Sequence, residues 1–227
     1  MNFPNMRSRS FLAGAIAIIL PGSLLLGGAR AGDLRTETPQ SQLHRLTESQ
    51  YRASIADIFG PNIKIVGRFP PDLRIDGLQS VGSGAISVNA AGFEQYEDIA
   101  RSTASQITDE VNRDALVGCA PSDRDKDGAQ CARAFFSKVG LRLFRRPLSP
   151  QNVDIYASAA ITAASQLGDF HQGLAASLAA MLSSPEFLFR IDRPDGSGRT
   201  VDSFSKATRI AFLLWNRSPD EKLLAAA

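Results

Sequence analysis

The residues best placed to do chemistry are three aspartates at alternate positions in the stretch "GCAPSDRDKDGAQCARAFF", residues 118–136. Asp123, Asp125 and Asp127, with the glycine that follows them, fill positions one, three, five and six of the twelve-residue calcium loop. The twelfth position should supply a bidentate glutamate, but this chain has Ala134 there. Its loss removes two of the six to eight oxygens that calcium requires. The aspartates are therefore a weak calcium candidate, and the pattern favours a solvated loop of alternating charges.

Two cysteines, Cys119 and Cys131, flank these aspartates with eleven residues between them. Neither belongs to a Cys-x-x-Cys-His haem attachment site, and structural zinc would need His44 and His171 from distant parts of the chain. A disulfide explains both cysteines without a third partner and would stabilise the fold by roughly 2–3 kcal/mol. We therefore predict a Cys119–Cys131 disulfide, with no metal site and no cofactor.

The start of the chain predicts export. Arg7 and Arg9 precede an apolar run. In Ala29-Arg30-Ala31, small residues stand at the third and the first position before the expected signal-peptide cleavage site. We expect residues 1–31 to be a cleaved signal peptide that leaves no stable membrane span. The protein would then be periplasmic or extracellular, in an oxidising compartment where paired thiols are usually bridged.

Charge narrows the classes of partner. Loss of the signal peptide takes away three of the 25 basic residues and leaves 22 against 23 acidic residues. Nucleic-acid-binding domains need a basic surface, which this balance does not provide. We therefore expect no nucleic-acid partner.

Motifs of known catalytic sites are absent from the sequence. It contains no Gly-x-Ser-x-Gly, no His-Glu-x-x-His and no phosphate-binding loop. Lys138, Arg142, Arg145 and Arg146 could line an anion site, although arginines with ordinary surface partners are commoner. The catalytic residues, if any, are unknown from sequence.

Apolar periodicity predicts helices along the chain and no useful strand, which indicates an all-α, irregular multi-helix bundle. Thr47 and Gln50 form a capping box at the first helix start, and Gly60 ends that helix. A long ordered loop should follow over residues 61–88, because Pro, Gly and Ser are frequent there. The next helix is predicted over residues 89–116, with an apolar stripe of Phe93, Tyr96, Ala100, Ala104, Ile107 and Val111.

Further helices are predicted from capping residues and apolar stripes. Ser149-Pro150, Ser184-Pro185 and a capping box at Ser218-Pro219-Asp220-Glu221 mark three helix starts. The stripes that we expect in the core are Phe135, Phe136, Val139 and Leu143; Val153, Tyr156, Ala160, Ala164 and Leu167; Phe170, Leu174, Leu178 and Leu182; and Phe204, Ala207, Ala211 and Leu214.

The chain resembles a known family in five segments. In chain order these are "RLTESQYRASIADIFG", "FPPDLRIDG", "CARAFFSKVGLRLFRRPLSPQNVDIY", "GLAASLAAMLSSPEFLFRID" and "ATRIAFLLWNRSPDEKLLAAA". They are similar to the exported planctomycete cytochrome-associated proteins, which are built from consecutive domains of unknown function. The most specific pieces are Phe144–Leu148, Ser184–Arg190 and Leu214-Trp215 with Ser218–Glu221. The resemblance implies a secreted, mostly helical protein of unestablished activity, in a family sometimes joined to c-type cytochrome domains.

The residues of these pieces have structural interpretations. Arg145-Arg146 would place positive charge at the C-terminal, negative pole of a helix. Phe187, Leu188 and Phe189 would anchor the core, and Trp215 would pack between helices.

These observations predict a domain order and a function. Residues 1–31 would be the signal peptide, 32–42 a linker, 43–118 an N-terminal helical domain, 119–192 a central helical domain and 193–227 the start of a truncated helical domain. We expect a scaffold or interaction module that associates with a c-type cytochrome, another exported protein or C-terminal domains of the same protein. The alternative is part of an extracytoplasmic degradative or redox enzyme whose active site lies in those C-terminal domains. On the module hypothesis, Phe212, Trp215, Leu223 and Leu224 would form a face that packs on the further domains.

Overall fold

The structure is a computed structural model and describes residues 43–72, 74, 76–77 and 88–227. The predicted signal peptide, the predicted linker and residues 78–87 of the predicted loop lie outside the described residues. All described residues fall within one compact unit, Glu37–Ala227.

Helices dominate the described residues, which confirms the all-α prediction. The helices are α1 (Glu48–Phe59), α2 (Ala90–Thr108), α3 (Arg113–Leu116), α4 (Ala129–Leu143), α5 (Pro150–Leu167), α6 (Phe170–Leu182), α7 (Pro185–Leu188), α8 (Ser203–Trp215) and α9 (Glu221–Ala225). Two three-residue strands, β1 (Leu43–Arg45) and β2 (Phe189–Ile191), accompany them. None of the described helices is both long enough and apolar enough to cross a membrane.

The capping box predicted for α1 is present. Thr47 Oγ1 accepts from the backbone N–H of Gln50 at 3.3 Å, and Gln50 Oε1 accepts from the backbone N–H of Thr47 at 3.1 Å. Ser149 caps α5 in the same way, with Pro150 in its first turn. These starts were predictable because a cap involves residues only two or three positions apart.

The capping box predicted at Ser218 is wrong. Helix α9 begins at Glu221, and Asp220 Oδ1 accepts from the backbone N–H of Leu223 at 2.8 Å. Ser218 Oγ instead pairs with Ser54 Oγ of α1 at 2.9 Å. An aspartate is as good an N-cap as serine, so the carboxylate closer to the helix takes the role.

The helix predicted over residues 89–116 is interrupted. It ends at Thr108, because Asp109 turns to extended backbone and its Oδ1 accepts from the N–H groups of Val111 and Asn112 at 3.0 and 2.8 Å. Val111 is consequently 87% exposed, and Phe93 at the other end is also exposed. The four middle residues of the predicted stripe are buried: Tyr96, Ala100, Ala104 and Ile107.

The core is centred on α6, which packs against α2 on one side and α5 on the other, while α4 packs against α5. Small residues permit the closest approach: a Cβ added at Gly173 of α6 would lie 2.4 Å from the carbonyl oxygen of Ala160 in α5. Helix α5 therefore buries Ala157 and Ala160, whereas Leu167 of the predicted stripe is exposed.

The two strands pair antiparallel, with Leu43 opposite Ile191 and Arg45 opposite Phe189. Strands of three residues are too short to show an alternating pattern, so the sequence did not predict them. The ribbon joins the chain before α1 to the chain after α7. At its end, Tyr51 of α1 contacts Phe187 of α7, with ring centroids 5.0 Å apart.

Candidate functional site

The loop that carries Asp123, Asp125 and Asp127, here called the aspartate loop, caps helix α4. Asp125 accepts from the backbone N–H groups of Gln130 and Cys131, each at 3.1 Å, and Asp127 Oδ1 accepts from Ala129 N at 3.1 Å. These are first-turn amides that have no partner inside the helix, and carboxylates stabilise them through hydrogen bonds and the helix dipole. Asp123 is exposed. Within the described part of the chain, no group of three or more His, Cys, Asp or Glu side chains could hold a metal ion.

The predicted disulfide between Cys119 and Cys131 is present, with the Cα atoms 5.7 Å apart. It ties the loop to the first turn of α4. Both sulfurs are used in this bond, so neither is available as a zinc-binding thiolate. His44 lies on β1 and His171 on α6, and burial lowers the pKa of both imidazoles.

The basic residues proposed for an anion site have separate surroundings. Lys138 is exposed on α4. Arg142 donates to the carbonyl oxygen of Asp57 in α1 at 2.8 Å and lies 3.4 Å from Glu221 of α9. Each arginine of this set therefore links two segments of the fold, and their guanidinium groups do not share an anion-binding cluster in the contacts observed.

Arg145 is the most deeply buried of them, with 3% of its surface exposed. Its Nη2 donates to the carbonyl oxygens of Glu186 at 2.8 Å, Phe187 at 3.3 Å and Phe189 at 2.7 Å. Burial lowers the pKa of Arg145 to about 9, which leaves the group charged at neutral pH. The sequence predicts this charge at the C-terminal end of its own helix. In the structure it instead holds together α7 and the start of β2.

A groove of about 700 Å³ lies beside these residues, and we call it the motif groove because residues of two specific sequence pieces, Phe144–Leu148 and Ser184–Arg190, line it. Its walls come from the α4–α5 connection, the first turns of α5, Glu186 of α7, Arg193 after β2 and Phe204 of α8. The full lining is Phe144, Arg146, Pro147, Leu148, Ser149, Asn152, Ile155, Tyr156, Glu186, Arg193 and Phe204.

Two ion pairs set the charge of the motif groove. Arg146 Nη1 lies 2.8 Å from Asp202 Oδ2, and its guanidinium stands over the ring of Phe204 at 5.9 Å. Arg193 Nη2 donates to both carboxylate oxygens of Glu186, at 2.7 and 2.8 Å. Each cation in the groove is thus balanced by an adjacent carboxylate.

A second surface feature is the outer face of α8, which comprises Ile210, Leu213, Leu214 and Trp215. Leu213 is 82% exposed, Leu214 64% and Trp215 59%. This corrects two predictions, because Leu214 is not in the core and Trp215 does not pack between the described helices. The face predicted from Phe212, Trp215, Leu223 and Leu224 is correct only in part, since Trp215 is exposed but Phe212 and Leu224 are buried.

Sequence reasoning missed part of the motif groove. Glu186 belongs to the Ser184–Arg190 piece, which was interpreted as a helix start. Arg193 and Asp202 belong to no local sequence pattern that predicts their ion pairs. Their partners lie 7 and 56 positions away, respectively. The sequence signal that could have indicated Arg193 and Asp202 is the high frequency of charged residues in the short turns that follow a buried segment.

Comparison with known families gives two consecutive matches. Residues 44–109 match PSD3, "Protein of unknown function (DUF1587)", and residues 131–192 match PSD5, "Protein of unknown function (DUF1595)". No curated protein and no solved structure matches the chain. The first match covers β1, α1 and α2, and the second covers α4 to β2, so both strands of the ribbon lie in matched regions.

Proposed function

We propose that this chain, with its two consecutive domains of unknown function, is a non-catalytic interaction module of an exported multidomain protein. In this proposal the outer face of α8 binds another helical domain of the same protein. Export rests on the signal-peptide pattern of residues 1–31. The tandem order of the two matched domains supports a partner that belongs to the same polypeptide.

The observation that carries the proposal is the exposure of Leu213 and Leu214 on one side of α8. Ile210, Leu213 and Leu214 are spaced at three and four residues, so they form one continuous stripe. Full burial of a leucine side chain contributes about 1.5–3 kcal/mol. A contiguous apolar patch of this kind on a soluble domain marks an interaction surface.

The charged residues of the described chain support a scaffold role. Arg142 joins α4 to α1, Arg146 joins the α4–α5 connection to α8, and Arg209 of α8 pairs with Asp192 at 2.7 Å. The contacts of Arg146 and Arg209 hold α8 against the rest of the chain and fix the direction in which its outer face points.

The chemistry of α8 defines the partner surface. The helix contains Lys206 and Arg209 and no acidic residue. A complementary surface is a helix with an apolar stripe flanked by carboxylates, because opposite charges at the rim guide association. The family resemblance makes an exported c-type cytochrome the alternative partner for this face, to be tested beside the domain partner.

The test compares this chain with a longer chain that extends through the reading frame downstream of residue 227. Trp215 is the single tryptophan, so its fluorescence reports directly on this face. We expect its emission to shift to shorter wavelength in the longer chain. Replacement of both Leu213 and Leu214 by Glu should abolish that shift. Val111→Glu, at an equally exposed apolar position on the α2–α3 turn, is the matched control and should leave the shift intact.

Two outcomes would overturn the proposal. One is an emission of Trp215 that is the same in both chains. The other is a dimer of the isolated chain, measured by light scattering, that the Leu213→Glu/Leu214→Glu variant dissociates, because the face would then bind a second copy. A haem-dependent quenching of Trp215 by the cytochrome, lost in the same variant, would assign the face to the cytochrome instead of the domain.

A further inference from the structure

The motif groove has the composition of a binding site for a neutral, hydroxyl-rich molecule. We propose that it binds a short uncharged saccharide. This inference is independent of the proposed function, because it rests on the groove and not on the outer face of α8.

The charge balance of the groove excludes strongly charged ligands on energetic grounds. Arg146 and Arg193 are each paired with a carboxylate at 2.7–2.8 Å. An anion would be attracted by the guanidinium groups but repelled by the carboxylates of Glu186 and Asp202. A cation would be attracted by these carboxylates but repelled by the guanidinium groups. Hydroxyl groups both donate and accept, so an uncharged polyol can bind to both members of the Glu186–Arg193 pair, which line the groove.

Unused hydrogen-bonding capacity lies along the same wall. Glu186 accepts two bonds from Arg193, whereas an ionised carboxylate offers about four acceptor sites. The Asn152 side chain is exposed on the first turn of α5 and lines the groove. Its amide offers donors and an acceptor, which suits adjacent hydroxyls of a sugar ring.

The remaining walls are apolar and partly aromatic. The rings of Phe144 and Tyr156 lie 6.1 Å apart at 61°, and Phe204 faces the groove beside Arg146. Ile155 is exposed in the groove although it is a large apolar side chain. A sugar ring presents C–H groups on its faces and hydroxyls at its edge, so these walls can cover the faces while the polar groups bind the edge.

The size of the groove fits this class of ligand. Its volume of about 700 Å³ lies within the range of small-molecule sites, roughly 300–1,000 Å³. Binding sites of this type combine apolar walls with a small number of placed polar groups.

The experiment titrates the full chain with three named probes, cellobiose, maltose and di-N-acetylchitobiose, by isothermal calorimetry and saturation-transfer NMR. We expect at least one disaccharide to bind and to give saturation transfer to its ring C–H groups. Asn152→Ala should weaken that binding about fivefold to tenfold through the loss of hydrogen bonds. Gln151→Ala, the exposed neighbour on α5 outside the groove lining, should leave it unchanged.

A second variant, Phe204→Leu, keeps an apolar side chain but removes the ring, and should weaken binding without loss of helical circular dichroism. Inorganic phosphate is the charged comparison probe. The proposal is overturned if no disaccharide binds, if Asn152→Ala and Gln151→Ala bind equally, or if phosphate binds more tightly than every disaccharide.

Discussion

Among single residues, Arg145 combines a buried charge with a backbone φ of 59°, a conformation that residues other than glycine rarely adopt. Its three carbonyl partners belong to α7 and β2, about forty positions along the chain. A guanidinium can donate five hydrogen bonds in a fixed plane, which a lysine ammonium cannot reproduce. The residue therefore acts as an internal clamp on the Ser184–Arg190 piece.

Arg145→Met should lower the free energy of unfolding by about 2–4 kcal/mol, because it leaves buried carbonyl oxygens without donors. Arg145→Lys should recover only part of this loss. Urea unfolding at neutral pH measures both variants. Arg133→Met, which removes an exposed pair with Asp154, is the control and should cost far less than Arg145→Met, because solvent screens exposed ion pairs. Equal losses at positions 133 and 145 would contradict the clamp.

Asp202 predicts a pH dependence. Burial raises its pKa, but hydrogen bonds from Arg146 and Ser205 outweigh this and hold the pKa below its usual range. Since the native pKa is lowered, the unfolded state binds more protons in acid, and stability falls as pH drops below about 3.9 towards the native pKa. Asp202→Asn keeps the N-cap of α8 and removes the ion pair.

This variant should be about 0.5–1 kcal/mol less stable than the wild type at neutral pH, and the difference should shrink as the pH falls below about 3.9. Chemical unfolding of both proteins over this pH range makes the comparison. A difference that stays constant from neutral to acid pH would show that the ion pair with Arg146 is not its source.

At the scale of elements, the aspartate loop shows how one pattern can serve two purposes. Alternate carboxylates before a helix resemble half of a calcium loop, yet Asp125 binds the first amides of α4. The Cys119–Cys131 disulfide fixes the loop on that helix end. A carboxylate that already accepts two backbone N–H groups has less capacity left for a cation.

Asp125→Ala should lower the free energy of unfolding by about 1 kcal/mol, the usual cost of a lost helix cap. Asp123→Ala, two positions earlier in the exposed part of the loop, should leave the unfolding midpoint unchanged. Calcium at millimolar concentration should not raise the melting temperature of the wild type. A rise in melting temperature that Asp125→Ala abolishes would restore the calcium interpretation.

What the sequence could predict depended on the distance between interacting residues. The caps at Thr47 and Ser149 were predictable, because each involves side chains and amides within three positions. The stripe of α4 was correct, since Phe135, Phe136, Val139 and Leu143 are all buried. The ribbon and the partners of Arg145 and Arg146 were not predictable, because they depend on segments that only the folded chain brings together.

At the scale of the whole molecule, α1 and the residues just before it contact segments far along the chain. Gln50 Nε2 donates to Asn216 Oδ1 at 2.7 Å, and Ser54 Oγ pairs with Ser218 Oγ at 2.9 Å. The backbone N–H of Leu46 donates to the carbonyl oxygen of Leu188 at 2.8 Å. The regions matched by the two family models therefore share contacts around α1.

We predict that α1 and α4 open together in native-state hydrogen exchange, because α1 packs against α4 and Arg142 of α4 donates to the carbonyl oxygen of Asp57 in α1. Their slowest amides should give the same opening free energy. The α2–α3 turn around Val111 should exchange much faster and serves as the reference for local opening. Independent, low-energy exchange of α1 would show that the two matched regions are separately stable.

The contact between Gln50 and Asn216 also has a consequence in time. The two residues are 166 positions apart, and a ribosome adds about 5–20 residues per second. Tyr51 and Phe187 are 187 − 51 = 136 positions apart, so the side of Tyr51 that meets Phe187 must remain uncovered for roughly 7–27 seconds of synthesis, although Phe69 and Tyr96 can cover its other side earlier. During that interval the nascent chain exposes an aromatic surface, and α1 completes its contacts only when synthesis has passed the end of α8.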